Sequence, residues 1–136
     1  MFGIKMRVKE VMKHARTVAF DATVKEAAIL MDKYSMGSLV VINDKKRVVG
    51  IVTERDFLQK VTVKDKIPSK ISIRDIMTPK IISIDSESLL DDAVYLMIKH
   101  RIKKLPVIDN HELVGILTAT DIVANSSEIG EFYLFD

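Results

Sequence analysis

Apolar and polar positions follow one succession along this chain, and the succession is written twice. Residues 17–20, "TVAF", form a short apolar run, and Val24, Ala27, Ala28, Met31 and Tyr34 then recur at helical spacing. That pattern predicts a strand followed by an amphipathic helix over 24–34. Two further apolar runs, 38–42 and 48–52, flank the polar "NDKKR", which is a hairpin signal. A short helix is expected over 54–60. The second passage has the apolar "KIISI" at 80–84, a helical pattern over 89–100, apolar runs at 104–108 and 113–117 around "DNHE", and a short helix over 119–125. Each passage reads β-α-β-β-α.

The agreement extends to the residues themselves. "GIVTERDF" at 50–57 returns as "GILTATDI" at 115–122, 65 positions later. "VKEVMK" at 8–13 aligns with "IRDIMT" at 73–78, and "DATVKEAAILM" at 21–31 aligns with "DSESLLDDAVYLM" at 85–97. Internal repetition of this kind governs the whole fold reading. The chain therefore divides into a first copy at 8–60, a linker at 61–72, a second copy at 73–125 and a tail at 126–136. The linker stretch is charged and contains Pro68; the tail carries Phe132, Tyr133, Leu134 and Phe135 and has no counterpart in the first copy. One copy has too little core to fold comfortably alone. The expected fold is mixed α+β: two pseudo-twofold-related copies packed through their sheets, with two equivalent clefts. The tail is expected to dock on the domain or on a neighbouring subunit, or else to be a disordered end.

Composition narrows the function. With 48% hydrophobic and 29% charged residues, the chain has the balance of a soluble globular protein. It contains no apolar run near the ~18 residues of a membrane span and opens on no secretory signal, so a cytoplasmic location is expected. Cysteine is absent, which excludes disulfides, thiolate metal sites and cysteine nucleophiles. A net charge of +2 is far from the concentrated basic footprint of a nucleic-acid binder. His14, His100 and His111 lack metal-ligand spacing, and no nucleophile elbow, P-loop or dinucleotide fingerprint occurs. Asp91 and Asp92 suit the start of a helix without any catalytic role. No catalytic constellation is present, and the chain is not expected to be an enzyme. The helix at 89–100 is apolar over more than one face (Leu89, Leu90, Ala93, Val94, Leu96, Met97, Ile98), and its surplus predicts a twofold dimer contact.

The repeated Thr-x-x-Asp has two readings. As a capping box, the Thr oxygen accepts a backbone N–H one turn on, and "TVKE" at 23–26 has the same form. As a ligand holder, a helix start with a Thr hydroxyl suits phosphate, and an ionised Asp can accept both hydroxyls of a ribose. The spacing alone leaves both open.

"MTPKIISIDSESLLDDAVYLM", "RIKKLPVID" and "ELVGILTATDI" resemble the successive motifs of a CBS domain, the module named after cystathionine β-synthase. "VMKHARTVAFDATVKEAAILM" through "RVVGIVTERDF" resembles a second copy, so the resemblance spans about residues 8–125. It implies a tandem pair, or Bateman module, that binds AMP, ADP, ATP, S-adenosylmethionine or sometimes NAD between its repeats. In that family the Asp of the turn holds the ribose, implying Asp56 and Asp121, and the Thr approaches the phosphate, implying Thr53 and Thr118. The first strand of the opposite repeat lines the adenine, implying Ile81, Ile82 and Ser83, or Thr17, Val18 and Ala19. Basic residues before the "LPV" strand contact phosphate, implying Lys103 and Lys104. The first copy departs here, with Gly37 and Ser38 in the lysine positions and "LVV" for "LPV", so two sites of unequal affinity are expected. No obligatory cofactor is implied; the adenosyl ligand is regulatory. The expectation is a homodimeric sensor that signals to a partner protein through ligand-dependent packing. The alternatives are an assembly module with vestigial sites, and a nucleic-acid binder acting through "KVTVKDK" and Lys103–Lys104.

Overall fold

A computed structural model describes residues 5–125; the aromatic residues of the tail lie outside that range. The residues separate into two compact units, one of residues 16–81 and one of the described residues 5–15 together with 82–125. Neither unit is a contiguous stretch of one sequence repeat. "VKEVMK" joins the elements of the second copy, and "IRDIMT" joins those of the first.

In the unit of residues 16–81, β1 (Thr17–Ala19) leads to α1 (Val24–Tyr34), then β2 (Ser38–Ile42), β3 (Val48–Thr53) and α2 (Glu54–Phe57). Thr23 caps α1 by accepting the Glu26 N–H at 3.1 Å, so "TVKE" is a helix cap. β2 is the central strand, parallel to β1 and antiparallel to β3. A wide helical turn at Leu58–Thr62 continues α2. Val24, Ala27 and Met31 of α1 are buried with Val18, Leu39, Val41, Val52, Val61, Ile73 and Ile76 in one core.

The other unit repeats the plan with α3 (Leu90–His100), β4 (Lys104–Asp109), β5 (Glu112–Thr118) and α4 (Ala119–Asn125). Val8 and Val11 close its core against Leu90, Ala93, Met97, Leu105, Val107, Leu117 and Ile122. The strand expected over 80–84 is reduced to a single parallel bridge between Ile84 and Val107. Proline explains the loss. In the first unit the Val40 N–H donates to the Arg16 carbonyl at 3.1 Å. Pro106 occupies the equivalent position of β4 and has no N–H to give.

Gly50 and Gly115 now have a physical reason. Ile51 and Thr78 exchange backbone hydrogen bonds at 3.1 and 2.8 Å, and Ile116 and Lys13 exchange two at 2.9 Å. These bridges press one segment onto each sheet next to a glycine. A Cβ on Gly50 would lie 2.6 Å from Met77 Sδ and 2.9 Å from the Thr78 carbonyl oxygen. On Gly115 it would lie 2.8 Å from Met12 Sδ and 3.0 Å from the Lys13 carbonyl oxygen. The methionine ends can move; the hydrogen-bonded carbonyls cannot do so cheaply.

A second clamp serves only the unit that contains Val8. The Asp109 carboxylate accepts hydrogen bonds from the Ser86 hydroxyl and the Ser86 N–H. Both bonds hold Asp109 below the usual carboxylate range, the side-chain bond contributing most. The loop so held accepts the Val8 and Lys9 N–H groups on its Ser88 and Ser86 carbonyls at 2.8 and 2.9 Å.

Two outcomes are expected in chemical denaturation. Gly50→Ala and Gly115→Ala each destabilise their unit by about 1–3 kcal/mol; a change within experimental error would mean that the close approach is not a constraint. Because folding depresses the Asp109 pKa, its contribution is full above the unfolded value of about 3.9 and is lost as pH falls through the folded value. Asp109→Asn therefore costs stability at pH 7, and the difference from wild type shrinks below pH 4. A difference independent of pH would contradict the assignment.

Candidate functional site

The parallel pairing of β1 with β2 brings the beginnings of both strands to one end of the sheet, and antiparallel β3 ends there. Ser38 pairs with Thr53 and Thr17 with Val40. The Glu54 N–H donates to the Gly37 carbonyl at 3.1 Å. One sheet end thus gathers Thr17, Gly37, Ser38, Thr53 and, one turn into α2, Asp56. Val18 and Ala19 run away from this end: Val18 is buried in the core, and Ala19 lies exposed opposite Ile42.

The other unit forms the same arrangement independently. Lys104 pairs with Thr118, and the Ala119 N–H donates to the Lys103 carbonyl at 2.8 Å. The Ile84 bridge to Val107 brings Ile82 and Ser83 toward the beginning of β4. Ile82 packs on the core, whereas Ser83 is exposed. Ile81 is half-buried at the end of the 16–81 unit. Within each unit, first-strand residues reach the same sheet end as that unit's own Thr-x-x-Asp, with the strand between them in the sheet.

Both turns are helix caps. At the first, the Thr53 N–H donates to Asp56 Oδ2 at 2.9 Å and the Asp56 N–H donates to Thr53 Oγ1 at 3.3 Å, the reciprocal capping box. At the second, the Asp121 N–H donates to Thr118 Oγ1 at 3.1 Å. Capping does not exhaust the two carboxylates. Asp56 and Asp121 are buried, with 7% and 9% of their surface exposed, and each meets an ammonium group: Lys60 Nζ lies 2.9 Å from Asp56 Oδ1, and Lys13 Nζ lies 2.9 Å from Asp121 Oδ1. Lys60 also donates to the Ile76 carbonyl at 2.8 Å. A buried, ionised carboxylate retains acceptor capacity beyond one cap and one lysine, so hydroxyl donors can share it.

Neither lysine follows from the motif. Lys60 stands four residues after Asp56, a spacing visible in "DFLQK". Lys13 is brought to Asp121 from more than a hundred residues away by the backbone bridge at Ile116, and no local signal announces it. His14, His100 and His111 are exposed. Among the described residues no group of His, Cys, Asp or Glu could hold a metal ion, and no helix is long and apolar enough to cross a membrane.

The family description "CBS domain" matches residues 8–62 and 73–128. An uncharacterized protein of Methanopyrus kandleri is 38% identical over 102 residues, which cover 74% of this chain and 52% of that protein. The inosine-5'-monophosphate dehydrogenase of Methanocaldococcus jannaschii is 32% identical over 122 residues, covering 89% of this chain but 23% of the enzyme. The chain thus spans about half or less of the length of these relatives. A crystal structure of an uncharacterized conserved protein from Pyrococcus horikoshii superposes with a TM-score of 0.83 at 33% identity, covering 91% of this chain and 94% of the other.

Proposed function

Because the chain belongs to the CBS domain family, a family of typically regulatory modules, we propose that it binds an adenosyl ligand at each Thr-x-x-Asp turn and serves as a regulatory sensor. One observation carries the reading. In both units a buried carboxylate stands at the end of the sheet beside a threonine hydroxyl, the first-strand residues and the start of the second strand.

A helix cap alone needs neither two copies nor burial of the Asp. A ribose gains from the burial, since its adjacent hydroxyls donate best to a charged acceptor that water does not already occupy. Asp56 and Asp121 accept the ribose hydroxyls. Thr53 and Thr118 face the 5′ substituent, with Lys103 and Lys104 adding positive charge at one turn where Gly37 and Ser38 add none. Thr17 in one unit and Ile82 and Ser83 in the other supply the adenine-facing backbone, since Val18 and Ala19 run away from the site end. The ligand class is AMP, ADP, ATP, S-adenosylmethionine or NAD, and a partner protein reads the bound state. Ligand can shift that state only by its differential affinity for two conformations.

The chain also forms a homodimer through α3. Leu90, Ala93 and Met97 bury one face of this helix, while Leu89, Tyr95 and Ile98 are 37%, 57% and 72% exposed. Tyr95 and Ile98, three residues apart on the helix, share an exposed face that a second copy would cover, while Leu89 stands at the helix start on another side. A monomer in sedimentation equilibrium of the wild type would remove this part of the reading.

Thermal unfolding with each of the five ligands tests the function. At about 100 times Kd a ligand adds roughly 2.7 kcal/mol and raises Tm by several degrees. Asp56→Ala with Asp121→Ala is expected to abolish the rise, because each loses charge-assisted bonds of about 1.5–3 kcal/mol. A rise that survives in the double variant would refute the site, and no rise with any ligand would favour an assembly module whose turns are only caps.

A further inference from the structure

The two aspartates share a counter-ion but not its source. Lys60 reaches Asp56 from the turn that continues α2, whereas Lys13 reaches Asp121 from the segment bridged to β5. In the repeat alignment, the position of Lys60 is held by Asn125 in the second copy, and the position of Lys13 is held by Thr78. Two different residues on two different elements thus place one ammonium group at the same distance from the same carboxylate.

At Asp56 hydrogen-bond satisfaction does not require this. Asp56 already accepts the Thr53 N–H, and the Thr53 hydroxyl lies 3.3 Å from the same oxygen. Nor are the lysines sealed in as partners of a buried pair. Their side chains are 42% and 69% exposed, against 11% and 12% for the carboxylates. Each lysine side chain is thus far more exposed than the aspartate it meets.

The consequence lies in the charge. A lone aspartate beside a ribose repels a phosphate on the 5′ carbon and attracts a cation there, since the two groups are only one sugar ring apart. Pairing with lysine cancels that preference. We propose that Lys13 and Lys60 shift the selectivity of the two turns toward anionic adenine nucleotides and away from S-adenosylmethionine, whose 5′ carbon carries a sulfonium cation. The inference rests on the adenosyl reading above and says how that site weighs a phosphate against a sulfonium. It treats both lysines as specificity determinants that act through the charge of the aspartate.

The test is isothermal titration of adenosine, AMP and S-adenosylmethionine into the full chain. The wild-type ratio of AMP to S-adenosylmethionine affinity is the reference. Lys13→Met and Lys60→Met are each expected to shift the AMP to S-adenosylmethionine affinity ratio at the affected site by roughly 10-fold toward the sulfonium. Adenosine, which is neutral, should change by less than about 3-fold. Exchange variants guard against misfolding. Lys13→Thr with Asn125→Lys moves the counter-ion of Asp121 to the element used in the first unit, and Lys60→Asn with Thr78→Lys does the reverse. Both should keep the wild-type ratio. An unchanged ratio in the methionine variants, an equal loss for all three ligands, or a changed ratio in the exchange variants would overturn this proposal while leaving adenosyl binding intact. A wild type that binds none of the three would overturn the adenosyl reading as well.

Discussion

Two reciprocal backbone pairs, Ile51 with Thr78 and Ile116 with Lys13, set the terms for the rest of each unit. Each fastens a segment across a sheet at a distance only glycine permits. The segment that arrives brings core residues, Ile73 and Ile76 in one unit and Val8 and Val11 in the other. It also brings the surroundings of the site. Lys13 reaches Asp121 because its own backbone is bridged to β5, and the Ile76 carbonyl that receives Lys60 belongs to the segment bridged to β3. Core closure and site electrostatics therefore rest on the same close approach.

The exchange of segments has a consequence for folding. Neither core can be completed by one continuous repeat, since the residues that close each core open the other repeat in the chain. Contacts between distant positions are thus built into both units, and loop closure must precede their stabilisation. A change in the pairing of Lys13 with Asp121 would act on the segment that also carries Val8 and Val11.

Much of this was legible in the sequence, for identifiable reasons. The helices at 24–34 and 89–100 were read to within a residue because apolar positions such as Val24, Ala27 and Met31 recur on one face, with Thr23 as a cap. The hairpins followed from β-rich runs around polar turns. The motif also pointed to Asp56 and Asp121, which are the buried acidic residues among those described. Periodicity could not show that the run at 80–84 fails as a strand, since the fault lies in its partner: Pro106 withholds one donor. The reason for Gly50 and Gly115, and the pairing of Lys13 with Asp121, depend on segments far apart in sequence. A repeat alignment tends to hide such features, because it assigns each segment to the copy it resembles rather than to the unit it packs in.

The two turns differ in their surroundings while keeping the same Thr, Asp and ammonium group, and that combination is the core of the functional account. An amide NMR titration of the wild type with AMP tests it most directly. The account predicts saturable shifts concentrated at residues 53–56 and 118–121, reaching Lys13 and Lys60 and tracing two unequal affinities. No saturable shifts, or shifts centred away from both turns, would contradict it.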